Sequence, residues 1–144
     1  MDSNHLRCIF ENDPYTKYIF EGVFARDEFL ETSFTRDIYM CVVNEQDSKY
    51  PGSHWLLVYQ DGKKNYFIDS LGRDYTYYGL KLKRPVYQIH RRLQCLDSQL
   101  CGAYVIFFGI RLAREMNLDS IMDYFTWNCR LNDEFIYRYI KEKL

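Results

Sequence analysis

Two runs, His54-Trp55-Leu56-Leu57-Val58-Tyr59 and Asn65-Tyr66-Phe67-Ile68-Asp69, flank an Asp61-Gly62 pair, and this stretch decides the fold. Apolar, β-branched and aromatic residues on either side of Asp-Gly predict two strands joined as a hairpin. Both runs are apolar at consecutive positions, so both faces of the hairpin are expected to be covered. With Asp61-Gly62 as the central residues of a tight turn, His54 falls directly opposite Asp69. Opposed Cβ atoms lie about 4.5 to 5.5 Å apart, within reach of an imidazole-carboxylate hydrogen bond. A four-residue loop from Asp61 to Lys64 would instead set Leu71 opposite His54, and that register stays open.

Upstream, Asp37-Ile38-Tyr39-Met40-Cys41-Val42-Val43 reads as a further strand, and Pro51-Gly52 breaks the chain after it. Asp13-Pro14 reads as the N-cap and first position of a short helix running to Phe20 and ended near Gly22. Downstream, a strand is expected around Pro85 to His90. Leu100 to Leu112 is apolar nearly all round and long enough for a helix buried on most sides. Asn117 to Trp127 and Asn132 to Leu144 read as two more helices, the last amphipathic through Phe135, Ile136, Tyr139 and Ile140. The expectation is one α+β domain spanning residues 1–144, a buried helix lying on a central sheet with further helices packed around it.

The 144 residues are 47% hydrophobic and 27% charged, which excludes disordered and low-complexity classes. A net charge of -1 supplies no whole-chain attraction for nucleic acid or anionic membrane. Lys81, Lys83, Arg84, Arg91 and Arg92 read first as a solvated surface and second as a local basic patch. No run approaches the roughly 18 apolar residues of a membrane span, and the N-terminus lacks the apolar core of a signal peptide, so a secreted or membrane protein is not expected. The five cysteines are scattered without a C-x-x-C pair, so neither a disulfide framework nor a metal site is expected, and no cofactor motif is present. A reduced compartment follows from that reading, with a free thiol available for chemistry. Fourteen tyrosines are unusual; Tyr39, Tyr59, Tyr66 and Tyr104 fit core or cleft positions, while Tyr75, Tyr77 and Tyr78 form a cluster with no assigned purpose.

Singly, the polar residues near the hairpin have plain readings. His54 fits a core histidine, Asp69 a turn cap within Asp69-Ser70-Leu71-Gly72, Gln94 a surface amide and Cys101 a small buried hydrophobe. Together they carry chemistry. Cys101 stands at the start of a helix, whose free N–H groups and dipole favour a thiolate. A histidine held by a carboxylate supplies the base that such a nucleophile needs. Gln94, in the loop leading to that helix, offers a side-chain N–H which, with the Cys101 amide, would form an oxyanion hole. Gly102 removes a side chain where a substrate backbone would approach.

These residues form blocks that resemble a known family. Gly52-Ser53-His54-Trp55, then Tyr66-Phe67-Ile68-Asp69-Ser70-Leu71-Gly72, then Gln94-Cys95-Leu96-Asp97-Ser98-Gln99-Leu100-Cys101-Gly102 are similar to the His, acid, Gln and Cys-Gly blocks of the adenain-like cysteine proteases. These adenovirus-type maturation proteases share their fold with proteases of ubiquitin-like modifiers. The Gln-x6-Cys-Gly spacing resembles the adenain branch, and Phe20 to Phe29 resembles an N-terminal block of related proteases in viruses and Polinton transposons. The likeness runs from about Asp13 to Ile110.

The resemblance implies a protease of papain-like mechanism with a central mixed sheet and a buried nucleophile helix. It assigns Cys101 as nucleophile, His54 as general base and acid, Asp69 as orienting carboxylate and Gln94 as oxyanion donor. Trp55 would border a narrow cleft with Gly102, and Gly-Gly or x-Gly substrates suit that narrowness. Trp55 also has a core reading, since it points to the strand face opposite His54. The implied substrate is a capsid or core precursor protein, cut in a virion or infected-cell interior by a monomer. An activating peptide or DNA, known in the family, finds no support here: residues 70–93 hold no cysteine to bind a peptide covalently, and the net charge does not favour DNA. Cys95 reads as a loop-packing residue or, alternatively, as a resolving thiol for Cys101. The other functions that stay open are an isopeptidase for a ubiquitin-like modifier and an inactive relative that binds peptides.

Overall fold

A computed structural model describes residues 1–49 and 53–143. The expected break at Pro51-Gly52 lies outside the described residues. The sheet has five strands in chain order: β1 (Phe20–Phe24), β2 (Ile38–Asn44), β3 (Trp55–Asp61), β4 (Lys64–Ile68) and β5 (Val86–Gln88). Strands β2, β3 and β4 are antiparallel, and β1 and β5 run parallel to their neighbours. The fold is therefore the mixed α+β architecture expected from the sequence.

The alternation of each central strand feeds two cores. Met40, Val42, Leu57, Tyr59 and Ile68 face one way, onto helix α3 (Cys101–Ala113), and onto Leu6 and Phe10 of α1 (Ser3–Asn12) and Ile136 and Ile140 of α5 (Cys129–Lys143). Tyr39, Cys41, Val43, Leu56, Val58 and Phe67 face the other way, where α2 (Arg26–Glu31) and a 3-10 turn at Tyr75–Tyr78 supply Phe29 and Tyr78. Coverage on both sides explains the consecutive apolar residues of the hairpin. Helix α3 is buried from Cys101 through Ile110 and again at Leu112, as an all-round apolar helix must be.

Four expectations are corrected. The hairpin pairs Asp61 with Lys64 and Leu57 with Ile68, so the register is the four-residue loop Asp61 to Lys64 left open by the sequence, with Gly62-Lys63 and not Asp61-Gly62 at the centre of the turn. Gly62 takes φ 60° as the first central residue, a position suited to glycine, and Asp61 stays in the ladder opposite Ile38. No helix spans residues 13–20. Asp13 instead ends α1, and its carboxylate accepts from the Tyr15 and Thr16 amides and from both terminal nitrogens of Arg114, at 2.9 to 3.1 Å. Only a 3-10 turn, Thr16–Tyr18, precedes β1.

The last helices also shift. Helix α4 is short (Leu118–Met122), and α5 begins at Cys129 because the Asn128 side chain caps it, accepting from the Arg130 and Leu131 amides. Finally, Cys95 and Cys129 form a disulfide across a separation of 34 residues. No C-x-x-C spacing announces this pair, because the fold brings together a loop and a helix start distant in sequence. The resolving-thiol reading of Cys95 falls with it, while Cys8, Cys41 and Cys101 remain free.

Candidate active site

The site forms where three elements end together. β3 begins one residue after His54, β4 ends one residue before Asp69, and α3 begins at Cys101. In the observed register His54 and Asp69 are diagonal and not directly opposed. A two-residue shift preserves the face, however, and His54 Nε2 lies 2.7 Å from Asp69 Oδ1. Both side chains are buried.

Asp69 answers both readings made of it. Its Oδ1 accepts from the Leu71 amide at 2.9 Å, the local turn contact expected of an Asp-Ser-Leu-Gly sequence, and also faces His54. Its Oδ2 accepts from the Tyr78 hydroxyl at 2.5 Å and the Arg73 amide at 3.3 Å. Burial would raise the carboxyl's pKa, but the bonds from His54, Tyr78 and Leu71 and the charge of His54 hold it below the ordinary range.

His54 turns Nε2 to Asp69 and shares the lining of one cleft with Cys101. Burial pulls the imidazole's pKa down, yet the hydrogen bonds and charges of Asp69 and Cys101 outweigh it and push it up to about 9. The thiol moves the other way. Burial pushes Cys101 up, but the His54 hydrogen bond, the Trp55 and Gly102 amides and the imidazolium charge bring it below its ordinary value. The first amides of a helix have no intrahelical partner, which is why Gly102 N–H is available to the sulfur. The two groups therefore favour a thiolate beside an imidazolium.

His54, Trp55, Arg73, Gln94, Leu96 and Cys101 share the lining of one cleft of about 480 Å³. Gln94 is nearly fully buried, unlike a surface amide. Its Oε1 accepts from Ser70 Oγ at 2.5 Å, and its Nε2 donates to the Ser98 carbonyl at 2.9 Å, so the side chain is clamped with its amide end in the cleft wall. The Leu93 and Gln94 amides both donate to the Ser70 carbonyl, tying this loop to the turn after Asp69.

Trp55 serves both of its expected places, since it lines the cleft and packs against the α3 core. Gly102 lies under the N-terminus. A Cβ there would sit 3.4 Å from Met1 Cβ, Met1 Sδ and Trp55 Cδ1, and Trp55 Nε1 donates to the Met1 carbonyl at 3.2 Å. The space over Gly102 is thus filled by Met1 and Trp55.

Sequence reasoning missed Tyr78, Ser70 and Met1. The first carried a weak signal, the tyrosine cluster itself: Asp74 caps a 3-10 turn that sends Tyr78 inward and leaves Tyr77 exposed. Among the described residues no cluster of metal-ligating side chains occurs, and no helix is long and apolar enough to cross a membrane.

No family model and no curated protein sequence matches the chain. Among the solved structures that resemble it are two of the ASFV pS273R protease. The first aligns with TM-score 0.57 and 14% identity, covering 91% of this chain and 63% of that one. The second, of the selenomethionine protein, aligns with TM-score 0.49 and 18% identity, covering 72% and 42%. The chain thus spans less than two thirds of the length of the protein it matches, and over nine tenths of its own length it has the fold of the ASFV pS273R protease.

Proposed function

We propose that this chain is a cysteine peptidase of the adenain-like type, with Cys101 as nucleophile. The observation that carries the reading is the pairing of His54 with Asp69 at 2.7 Å in the cleft that holds a buried thiol at a helix start, with the imidazole pKa raised and the thiol pKa lowered so that each favours its own charged form. Displacements in that sense, produced by specific partners in a cleft, mark functional sites. The fold shared with a protease is consistent with it.

In this mechanism the Cys101 thiolate attacks the scissile carbonyl carbon, and the carbonyl electrons pass to oxygen. The Cys101 amide and the Gln94 side-chain N–H would receive that oxyanion. Collapse expels the amine, which takes its proton from the His54 imidazolium and leaves a thioester on Cys101. Neutral His54 then removes a proton from water, the resulting hydroxide attacks the thioester, and the acid product departs as the thiolate re-forms beside a protonated His54. Asp69 stays ionised and keeps the imidazole oriented.

We assign Gly-Gly or x-Gly sequences in a capsid or core precursor protein as the substrate class, on the resemblance of the His, acid, Gln and Cys-Gly blocks to the adenain-like proteases. The test uses fluorogenic Gly-Gly-x peptides, fluorogenic substrates of ubiquitin-like modifiers and an electrophilic peptide probe. The expected result is hydrolysis of the short peptides and labelling of Cys101 at neutral pH, both abolished by Cys101→Ala. Turnover of the modifier substrates alone makes the chain an isopeptidase. A folded parent that neither cleaves nor labels makes it a peptide-binding relative.

A further inference from the structure

The Asp69 carboxylate stands at a strand end, where rotation about its last side-chain bond decides whether Oδ1 meets His54. Two of its donors, the amides of Leu71 and Arg73, belong to the same turn as Asp69 and move with it. Tyr78 differs, since it reaches Oδ2 from the separate 3-10 turn at Tyr75–Tyr78, nine residues on. Its ring is buried against Phe67 and Tyr77, at centroid distances of 6.0 and 5.0 Å, and lies 6.4 Å from the His54 ring. A ring so packed has its hydroxyl pointed in one direction.

We propose that Tyr78 is a positioning residue of this site, its hydroxyl locking the Asp69 carboxylate in the rotation from which the other oxygen holds His54. Burial and the bond to and charge of Asp69 drive the phenol's pKa far up against the opposing Arg73 guanidinium, so it keeps its proton and acts as a fixed donor. The clamp works on Asp69 through Oδ2 and on His54 only through Asp69. The assignment rests on the peptidase reading for its kinetic arm and on the His54–Asp69–Cys101 geometry for its spectroscopic arm.

Tyr78→Phe tests it, because phenylalanine keeps the ring contacts and deletes only the donor; thermal melting verifies that the full chain folds. With a Gly-Gly-x peptide, kcat is expected to fall about tenfold with KM unchanged, as for loss of a hydrogen bond to a charged group acting in the transition state. In the pH profile of Cys101 alkylation by iodoacetamide, the upper inflection, expected near pH 9 in the parent, shifts downward because a freed carboxylate supports the imidazolium less. In the Asp69→Asn background Tyr78→Phe is expected to cost nothing further. An unmoved inflection, or a second tenfold loss on top of Asp69→Asn, overturns the assignment and makes Tyr78 a core residue only. The alkylation profile needs no turnover, so a parent that shows the inflection but cleaves no peptide removes the peptidase reading while still deciding the role of Tyr78.

Discussion

His54 is subject to opposing forces at a single imidazole. It is buried, which favours its neutral form, and it sits between a carboxylate and a thiol, which favour the cation; the partners prevail and its pKa lies near 9. Two pH effects follow. Peptide hydrolysis needs the imidazolium to protonate the leaving amine, so kcat/KM should fall above about pH 9. On the acid side it should fall only below the ordinary thiol range, because Cys101 is lowered. A profile that instead rises to a plateau above pH 9, as an unpaired thiol would give, counts against the ion pair. For stability the sign is that of a raised base. The His54 contribution is complete below its unfolded value of about 6.5 and is lost as pH rises through about 9, readable as a falling Tm between those limits.

At the scale of the element, the turn after β4 joins the two halves of the site. Gly72 has φ 75°, and a Cβ there would lie 2.4 Å from the Arg91 carbonyl carbon and 2.6 Å from its oxygen. Those are backbone atoms of the segment that leads into Gln94, and they have no flexible end to yield. Gly72→Ala should therefore cost about 3 kcal/mol or more, combining left-handed strain with overpacking, and lower Tm by about 10 °C. Gly62→Ala is the control. It has φ 60° but no neighbour within 4 Å of its Cβ, so only the backbone strain of about 1 kcal/mol remains. Equal melting of the two variants would show that the approach of the Arg91 backbone does not matter.

Over the whole molecule, α5 holds the loop that carries Gln94. Asn132 Nδ2 donates to the Leu93 carbonyl at 3.2 Å, the Asp133 carboxylate accepts from the Cys95 amide at 3.3 Å and from Tyr104 of α3 at 2.7 Å, and Cys129 is bonded to Cys95. Closing a loop of this length removes chain entropy from the unfolded state worth about 3 to 4 kcal/mol. Cys129→Ser should lower Tm in oxidising buffer and leave it equal to that of the parent under dithiothreitol. A parent whose Tm ignores reductant would contradict the tether.

Much of this protein was legible in its sequence because the determinants are local or periodic. The apolar runs at 54–59 and 65–69 specify strands, the unbroken apolar stretch 100–112 specifies a buried helix, and Asp-Gly between the strands specifies a hairpin that returns Asp69 to His54. That juxtaposition holds in either register because a shift of two residues keeps side chains on the same face. Other features have no local signature. Helix α1 is one, although Asp2 caps it and Leu6 and Phe10 fall on one face; Asp13 does cap the turn after it, accepting from the Tyr15 and Thr16 amides, but that turn is only 3-10, and its ion pair with Arg114 spans 101 residues. The Cys95–Cys129 bond, the Tyr78 clamp and the seating of Met1 over Gly102 likewise join elements distant in the chain. The sequence by itself determined the sheet, the buried helix α3 and which polar residues meet at their ends. Only the tertiary structure decided what holds those residues in place, since such contacts depend on how whole elements pack and not on any spacing along the chain.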